Sequence, residues 1–404
     1  MQVEMWKRNL WLLWVGCFIT SASFSMVIPF LPLFLLHIGV QDHIEMWSGL
    51  IFSSAFLAGA IASPFWGAMG DKYGRKPMIV RAGIVLCVIY LLTSLVTNPY
   101  ELLGLRILQG LLSGFIPGAI ALIGTNTPED KVGYAMATIS TSTATGGIIG
   151  PLLGGVIANL FDSRVAFASA GVLVLMSALL VLLWVKEEKV VRSKERSSIT
   201  GSMRMAVQNR PFLTLLGITL ITQFSIMTIE PVLPLYIVQI GGSVKNASLM
   251  AGIVFSLVGI AGILFASRWG KLADKVGFHK VLIIGLIAGG LGNLAQVLFH
   301  GIWGFSIIRF VYGAFFCAVF PALNGLVIRT TPADFRGRAF GLNQTASMLG
   351  GMLGPLVGGY ISGIFSIHSV FWVTGLLLLC SAGAAVWSQN KSTAAHSQGA
   401  SGSL

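Results

Sequence analysis

The sequence predicts an all-α, polytopic membrane protein of twelve transmembrane helices in two pseudo-symmetric six-helix bundles. Three observations predict it: very little charge, long unbroken apolar runs, and an internal repeat at one register. Of 404 residues, 55% are apolar and 10% charged, and mean hydropathy is +0.84. A soluble domain carries about a quarter charged residues, so the solvent this chain is built for is lipid. A helix needs roughly 20 mostly apolar residues to cross about 30 Å of hydrocarbon. Twelve stretches qualify, at about 9–38, 46–69, 78–97, 101–125, 133–160, 164–185, 211–240, 247–269, 280–299, 302–327, 338–365 and 368–388. A membrane barrel would instead show roughly ten-residue segments that alternate in and out.

The formal charge of +12 does not point to nucleic acid, because that reading requires a basic face on a soluble domain. The cations follow the membrane instead. Lys7 and Arg8, then Lys72, Arg75, Lys76 and Arg81, then the basic run within 186–210, then Arg268, Lys271, Lys275 and Lys280, and then Arg329, Arg336 and Arg338 all fall on one side, with Arg164 and Lys245 on the other. That bias places both termini in the cytoplasm. Cys17, Cys87, Cys317 and Cys380 lie within apolar runs without metal spacing and read as packing residues. The first apolar run is too long for a cleavable signal and leads straight into further spans.

The longest polar stretch, 186–210, reads as a cytoplasmic linker between an N-terminal bundle (1–185) and a C-terminal one (211–388). The Ser/Ala/Gly-rich tail, 389–404, reads as disordered. Laying the second half on the first at an offset of about 203 pairs Pro29, Pro32 and Gly39 with Pro231, Pro234 and Gly241, after a slip of two residues ahead of the first proline. Gly67, Asp71 and Gly74 match Gly270, Asp274 and Gly277, while Arg106 and Gly110 match Arg309 and Gly313. GGIIGPLLGG (146–155) matches GGMLGPLVGG (350–359). Six spans per half is an even number, so the halves enter the membrane in the same orientation, the parallel repeat of two-bundle secondary transporters, with substrate expected near the midplane.

Four features carry chemistry. GAMGDKYGRKP (67–77) has glycines suited to a tight turn and, in Asp71, Arg75 and Lys76, the makings of a charged clasp; the second copy, GKLADKVGFHK (270–280), has Phe278 and His279 where the cations would be. A basic surface loop that only fixes topology is the plainer reading. Arg106, in LRILQG (105–110), sits among apolar residues at a cost of about 2.5–3.5 kcal/mol, and either acts in the membrane or snorkels to the outer edge. GGIIGPLLGG combines glycines four apart, which permit close helix approach, with Pro151, which removes a backbone hydrogen bond. Glu230 is the one acidic residue well inside a predicted span, about 15 Å from the outer end of its helix; its counterpart in the first half is Ile28. Such a carboxylate can alternate between a proton and a cationic substrate, or stay protonated against backbone freed by Pro231 or Pro234.

These motifs resemble those of the major facilitator superfamily, over essentially the whole chain to about residue 388, and within it the twelve-span bacterial drug:proton antiporters. The resemblance implies a conformational latch at Gly67, Asp71, Gly74, Arg75 and Lys76, with a second copy at Gly270, Asp274 and Gly277. Thr125 stands where many relatives carry an acidic partner, a part Glu129 or Asp130 could take. It implies an antiporter motif at Gly146, Gly150, Pro151, Gly154 and Gly155, and proton coupling by Glu230, Arg106 and Asp71. A second carboxylate present in some relatives is replaced near Cys317. Phe24, Met26, Phe30, Phe34, Phe115, Gln223, Phe224, Met227, Tyr236, Asn343 and Gln344 are candidates, with Glu230, to line a roomy apolar cavity.

The expected activity is proton-coupled efflux of lipophilic or cationic drugs by alternating access. Export of an endogenous sugar, metabolite or siderophore, and a non-transporting receptor on the same scaffold, are the alternatives. Drug-like small molecules, protons and the bilayer are the expected partners of a monomer, with no nucleic acid, cofactor or metal. With no phosphate-binding G-x-x-x-x-G-K-[ST] loop, the chain reads as no enzyme, driven by an ion gradient.

Overall fold

The computed structural model describes residues 2–128, 131–187, 209–241, 246–331 and 335–401. Most of the expected linker therefore lies outside the described residues, as do Glu129 and Asp130. The described chain is helical, in the order α1 (Gln2–Ser25), α2 (Leu31–His37), α3 (Ile44–Tyr73), α4 (Arg75–Ser94), α5 (Pro99–Leu112), α6 (Phe115–Asn126), α7 (Val132–Leu160) and α8 (Ser163–Trp184). The second half follows as α9 (Arg210–Ile229), α10 (Leu233–Gln239), α11 (Ala247–Val276), α12 (Phe278–Gln296), α13 (Ile302–Phe316), α14 (Val319–Thr330), α15 (Arg336–Ile364) and α16 (Ile367–Ser401).

Ten helices or broken pairs of helices among the described residues are long and apolar enough to cross a membrane. The other two expected spans are present as helices. The apolar character of α1 is diluted by Lys7, Arg8 and Asn9, and that of α15 by Arg338, Asn343 and Gln344. The last helix continues as far as Ser401, past residue 389, where the composition suggests a disordered tail. No proline interrupts that stretch, and helix already formed upstream supplies the costly nucleus.

The first span of each half is broken at the same place. Residues Met26–Phe30 separate α1 from α2, and Glu230–Val232 separate α9 from α10. Pro29 and Pro231 lack the N–H that would continue each ladder, while Pro32 and Pro234 start the next helix, where a missing N–H costs nothing. The fourth and tenth spans break too, α5 from α6 at Ser113 and Gly114, and α13 from α14 at Cys317 and Ala318. Gly114 takes φ +135°, open to glycine at little cost.

Two compact units contain these elements. The first comprises Met1–Ser193 with Pro231–Gly259, and the second Lys194–Glu230 with Ile260–Leu404. In the first unit α1 packs along α7, α4 along α8 and α3 along α5; in the second, α9 packs along α15 and α12 along α16. One core of the first unit gathers Met26, Phe30, Phe34, Tyr90 and Phe167, and another Leu10, Leu13, Phe115, Leu122 and Ile139. Phe167 holds Phe30 and Phe34 edge-on, each with ring centroids 5.1 Å apart.

Candidate functional site

Glu230 caps the C-terminal end of α9, its N–H donating to the Ile226 carbonyl at 3.3 Å. Pro231 follows at once, so the carboxylate stands where the backbone leaves its helical path. Its electrostatic partner is Arg309 on α13. That arginine is 6% exposed and donates through Nη1 to Gln296 Oε1 at 3.2 Å. Gln296 donates in turn to Asn293 at 3.0 Å, and Asn293 to Thr374 at 3.4 Å. A chain of side chains from three helices thus fixes the arginine that acts electrostatically on the carboxylate.

Arg106 occupies the matching place in the first unit and is 7% exposed. It does not snorkel to the edge. Its Nη1 donates to Gln109 Oε1 at 2.8 Å, Gln109 donates to the Tyr90 hydroxyl at 3.2 Å, and that hydroxyl donates to the Ser23 carbonyl at 3.5 Å. The Phe167 ring lies 5.7 Å from the guanidinium. The repeat exchanges the parts: the position of Tyr90 holds Asn293, and that of Gln109 holds Tyr312, whose ring lies 5.6 Å from the Arg309 guanidinium. Each buried arginine thus keeps an amide and a tyrosine, with their helices swapped.

The loop after α3 is built differently from its sequence reading. Asp71 and Arg75 pair at 2.9 Å, one turn apart. Only Gly74 needs to be glycine for the turn, at φ +99°, as does Gly277 in the second copy at +96°. Gly67 and Gly270 lie within α3 and α11 with open space where a Cβ would sit, so their role in a tight turn is corrected. The residue that sequence reasoning missed is Glu187. Its carboxylate accepts the N–H of Arg75 at 2.7 Å and of Lys76 at 2.9 Å, capping the positive end of α4. Asn9 holds the same segment, donating to the Lys186 carbonyl at 2.6 Å and accepting the Lys186 N–H at 3.2 Å. In the second copy Asp274 is exposed, and Phe278 lies under the Arg329 guanidinium at 4.7 Å.

The glycine motif on α7 presents two faces. Gly146 and Gly150 lie against the α1 backbone at Phe18 and Ala22, and Gly154 against that of Met26 just beyond it, so any Cβ there would collide with main chain. Gly155 and the Pro151 carbonyl lie against Gly252 on α11, and Ser256 donates to the Ile148 carbonyl at 2.7 Å. The repeat reproduces the first face, with Gly350, Gly354 and Gly358 of α15 against Leu220, Phe224 and Thr228 of α9.

The candidate lining residues divide by burial. Met26, Phe30, Phe34 and Phe115 are at most 1% exposed and pack in the cores of the first unit, and Tyr236 is fully buried. Here these five fill interior space rather than face a cavity. Phe24 is 41% exposed and meets Phe56 edge-on at 6.5 Å. Gln223, Phe224 and Met227 are half-buried on α9, and Thr219 donates to Asn343 on α15 at 2.7 Å, next to exposed Gln344. Two tryptophans also escaped notice. Trp66 donates to the Leu111 carbonyl at 2.6 Å and Trp269 to that of Ala314 at 2.7 Å, pinning α3 and α11 beside the breaks in the fourth and tenth spans. Arg81 lies over the Trp66 ring at 3.4 Å and donates to the Ser113 carbonyl at 3.4 Å. Among the described residues, no three His, Cys, Asp or Glu side chains gather where a metal would need them.

The family profile described as Major Facilitator Superfamily matches residues 13–275 and 215–402. The chain is 38% identical over 380 residues to multidrug resistance protein MdtG of Enterobacter lignolyticus, covering 93% of this chain and 91% of that one. It is 39% identical to the MdtG of Salmonella schwarzengrund, covering 93% and 94%. Among solved structures, a bacterial homolog of the human lysosomal transporter Spinster, inward-facing and occupied, aligns with TM-score 0.80 at 14% identity, over 94% of this chain and 96% of that one. The nucleoside transporter NupG aligns with TM-score 0.76 at 14% identity, over 94% and 98%. At such identities the likeness is one of fold.

Proposed function

The chain belongs to the major facilitator superfamily, as a multi-pass membrane transporter and not an enzyme, and we propose that it expels lipophilic or cationic drugs in exchange for protons. The observation that carries the efflux reading is the 38–39% identity, over 93% of the chain, to proteins named for multidrug resistance. The coupling reading rests on Glu230. A carboxylate at a helix break, within electrostatic reach of a fixed arginine, can exchange a proton for a cationic substrate, because burial makes an unneutralised charge costly in either state. Arg309 is the counter-charge that steadies the carboxylate when neither is bound. Gln223, Phe224 and Met227 on α9, with Asn343 and Gln344 on α15, supply adaptable apolar and amide contacts of the kind promiscuous sites use.

The remaining roles follow the same reading. Asp71 and Arg75 act as the latch at the basic end of the spans. Gly146, Gly150, Pro151, Gly154 and Gly155 form a close-packed seam in which helices slide without side chains to unlock. Both termini are cytoplasmic, by the side on which the basic residues collect, and the working unit is a monomer.

Accumulation in cells tests the proposal. Cells expressing the chain retain less of a lipophilic cationic dye or a quinolone than control cells, and an uncoupler abolishes the difference. Unchanged accumulation on expression overturns the efflux reading, and export that survives the uncoupler overturns the coupling.

A further inference from the structure

The two halves differ at two matched places, and the differences go together. Where the second half has Glu230 the first has Ile28, and where the second has Gln296 the first has Thr93. Thr93 donates within its own helix, to the Ile89 carbonyl at 2.7 Å, and Arg106 takes its amide from Gln109, one turn along on α5. Arg309 lacks that neighbour, because Tyr312 stands at the matching position, and its Nη1 reaches across to Gln296 on α12 instead. The arginine that acts on a carboxylate is therefore the one held directly by another helix.

Gln296 and Asn293 are fully buried. Gln296 Nε2 uses both hydrogens, on the Gly292 carbonyl at 3.1 Å and on Asn293 Oδ1 at 3.0 Å, so Oε1 is the atom left to meet the guanidinium. Asn293 is tied in turn to Thr374 on α16 at 3.4 Å, and Thr374 to the Val370 carbonyl at 2.9 Å. Arg309 Nε is buried without a hydrogen-bond partner, yet the guanidinium does not close on Glu230. Among the described residues, the ion pair within 4.0 Å is that of Asp71 with Arg75, so Arg309 acts on the carboxylate from a longer distance.

We propose that Gln296 is a positioning residue which, on the reading of Glu230 as the coupling carboxylate, restrains Arg309 from closing into a direct ion pair that would shut out both proton and cationic substrate. In a low-dielectric interior a charge is felt well beyond contact distance. A guanidinium held back in this way steadies the carboxylate without occupying it. A contact pair, with both partners desolvated, is broken only at a large cost, and an incoming cation would have to break it. Thr93 has no such restraint to supply, because the first half has no carboxylate at Ile28 to protect.

Binding of tetraphenylphosphonium to the purified full chain, with the neutral dye Nile red as reference, tests this. Gln296→Leu, close in volume but without an acceptor, frees the guanidinium to pair with Glu230 and weakens cation binding by about tenfold, the equivalent of one charge-assisted hydrogen bond, while Nile red binds as before. Gln296→Glu returns the acceptor and with it cation binding; a role limited to packing would be served no better by Glu than by Leu. Adding Arg309→Gln to Gln296→Leu removes the charge that closes on Glu230 and also restores cation binding. Cation binding that Gln296→Leu leaves unchanged, or that neither Gln296→Glu nor the double variant restores, overturns the proposal. Glu230→Gln keeps the two readings apart. Cation binding lost in Glu230→Gln but kept in Gln296→Leu overturns the restraint alone, whereas binding unaffected by Glu230→Gln overturns the role of Glu230 and the restraint with it.

Discussion

The Glu187 carboxylate grips the backbone of Arg75, accepting its N–H at 2.7 Å and that of Lys76 at 2.9 Å. The chain leaving the sixth span is thereby fastened to the first turn of the third. Glu187→Ala removes both bonds and is expected to cost about 1–2 kcal/mol, the usual loss for a helix cap. Glu187→Gln, which keeps an acceptor oxygen, costs roughly half of that. Scanning fluorimetry of the purified variants checks the order, and equal melting temperatures for all three proteins would contradict it.

The glycine face of α7 makes a sharper prediction. A Cβ at Gly154 would enter the Met26 carbonyl and one at Gly150 the Ala22 carbonyl, whereas Gly147 has open space. Gly154→Val is expected to abolish export by forcing α7 off α1, since overpacking costs about 1–3 kcal/mol even where neighbours can give. Gly147→Ala is expected to leave export unchanged. Dye efflux normalised to membrane expression separates them, and similar efflux by both variants would show that the close approach does not matter.

Trp66 and Trp269 hold equivalent carbonyls in the two units. Replacing either with Phe keeps the ring and deletes one hydrogen bond, for a loss of about 1 kcal/mol. Trp66→Phe is expected to destabilise more, because Arg81 rests on that ring at 3.4 Å, whereas the matching position to Arg81 is Ile284. Thermal melts of the two variants decide this; a larger loss at Trp269 would count against it.

Arg106 reaches Gln109 with one edge of its guanidinium while the Phe167 ring lies near its carbon centre. A lysine supplies charge but neither the fork nor the plane. Arg106→Lys is therefore expected to reduce export by about tenfold, the equivalent of one charge-assisted bond, with normal membrane insertion. Full export by that variant would mean that charge alone suffices there.

The spans, the repeat and the motif positions could be read from the sequence because they rest on composition and spacing, which lipid enforces residue by residue. The breaks at Met26–Phe30 and Glu230–Val232 were not read from the sequence, where 9–38 and 211–240 are single apolar runs, although the paired prolines Pro29 and Pro231 mark both places. Glu187 was not legible, because a carboxylate after a span looks like any other surface charge until the fold brings a helix N-terminus to it. Nor did the aromatic lining resolve: Met26, Phe30 and Phe115 have the same residue character whether they pack a core or face a cavity, and only the direction of the helix face distinguishes the two. The tryptophan pair could have been found, since Trp66 and Trp269 stand at the repeat offset, as do Leu111 and Ala314.

Coupled export turns on the carboxylate at the break of the seventh span. Purified protein in weakly buffered solution, given a cationic drug, should release protons as the substrate displaces them from Glu230, and Glu230→Gln should bind the drug weakly and release none. Equal proton release from wild type and Glu230→Gln would place the coupling elsewhere and contradict the mechanism.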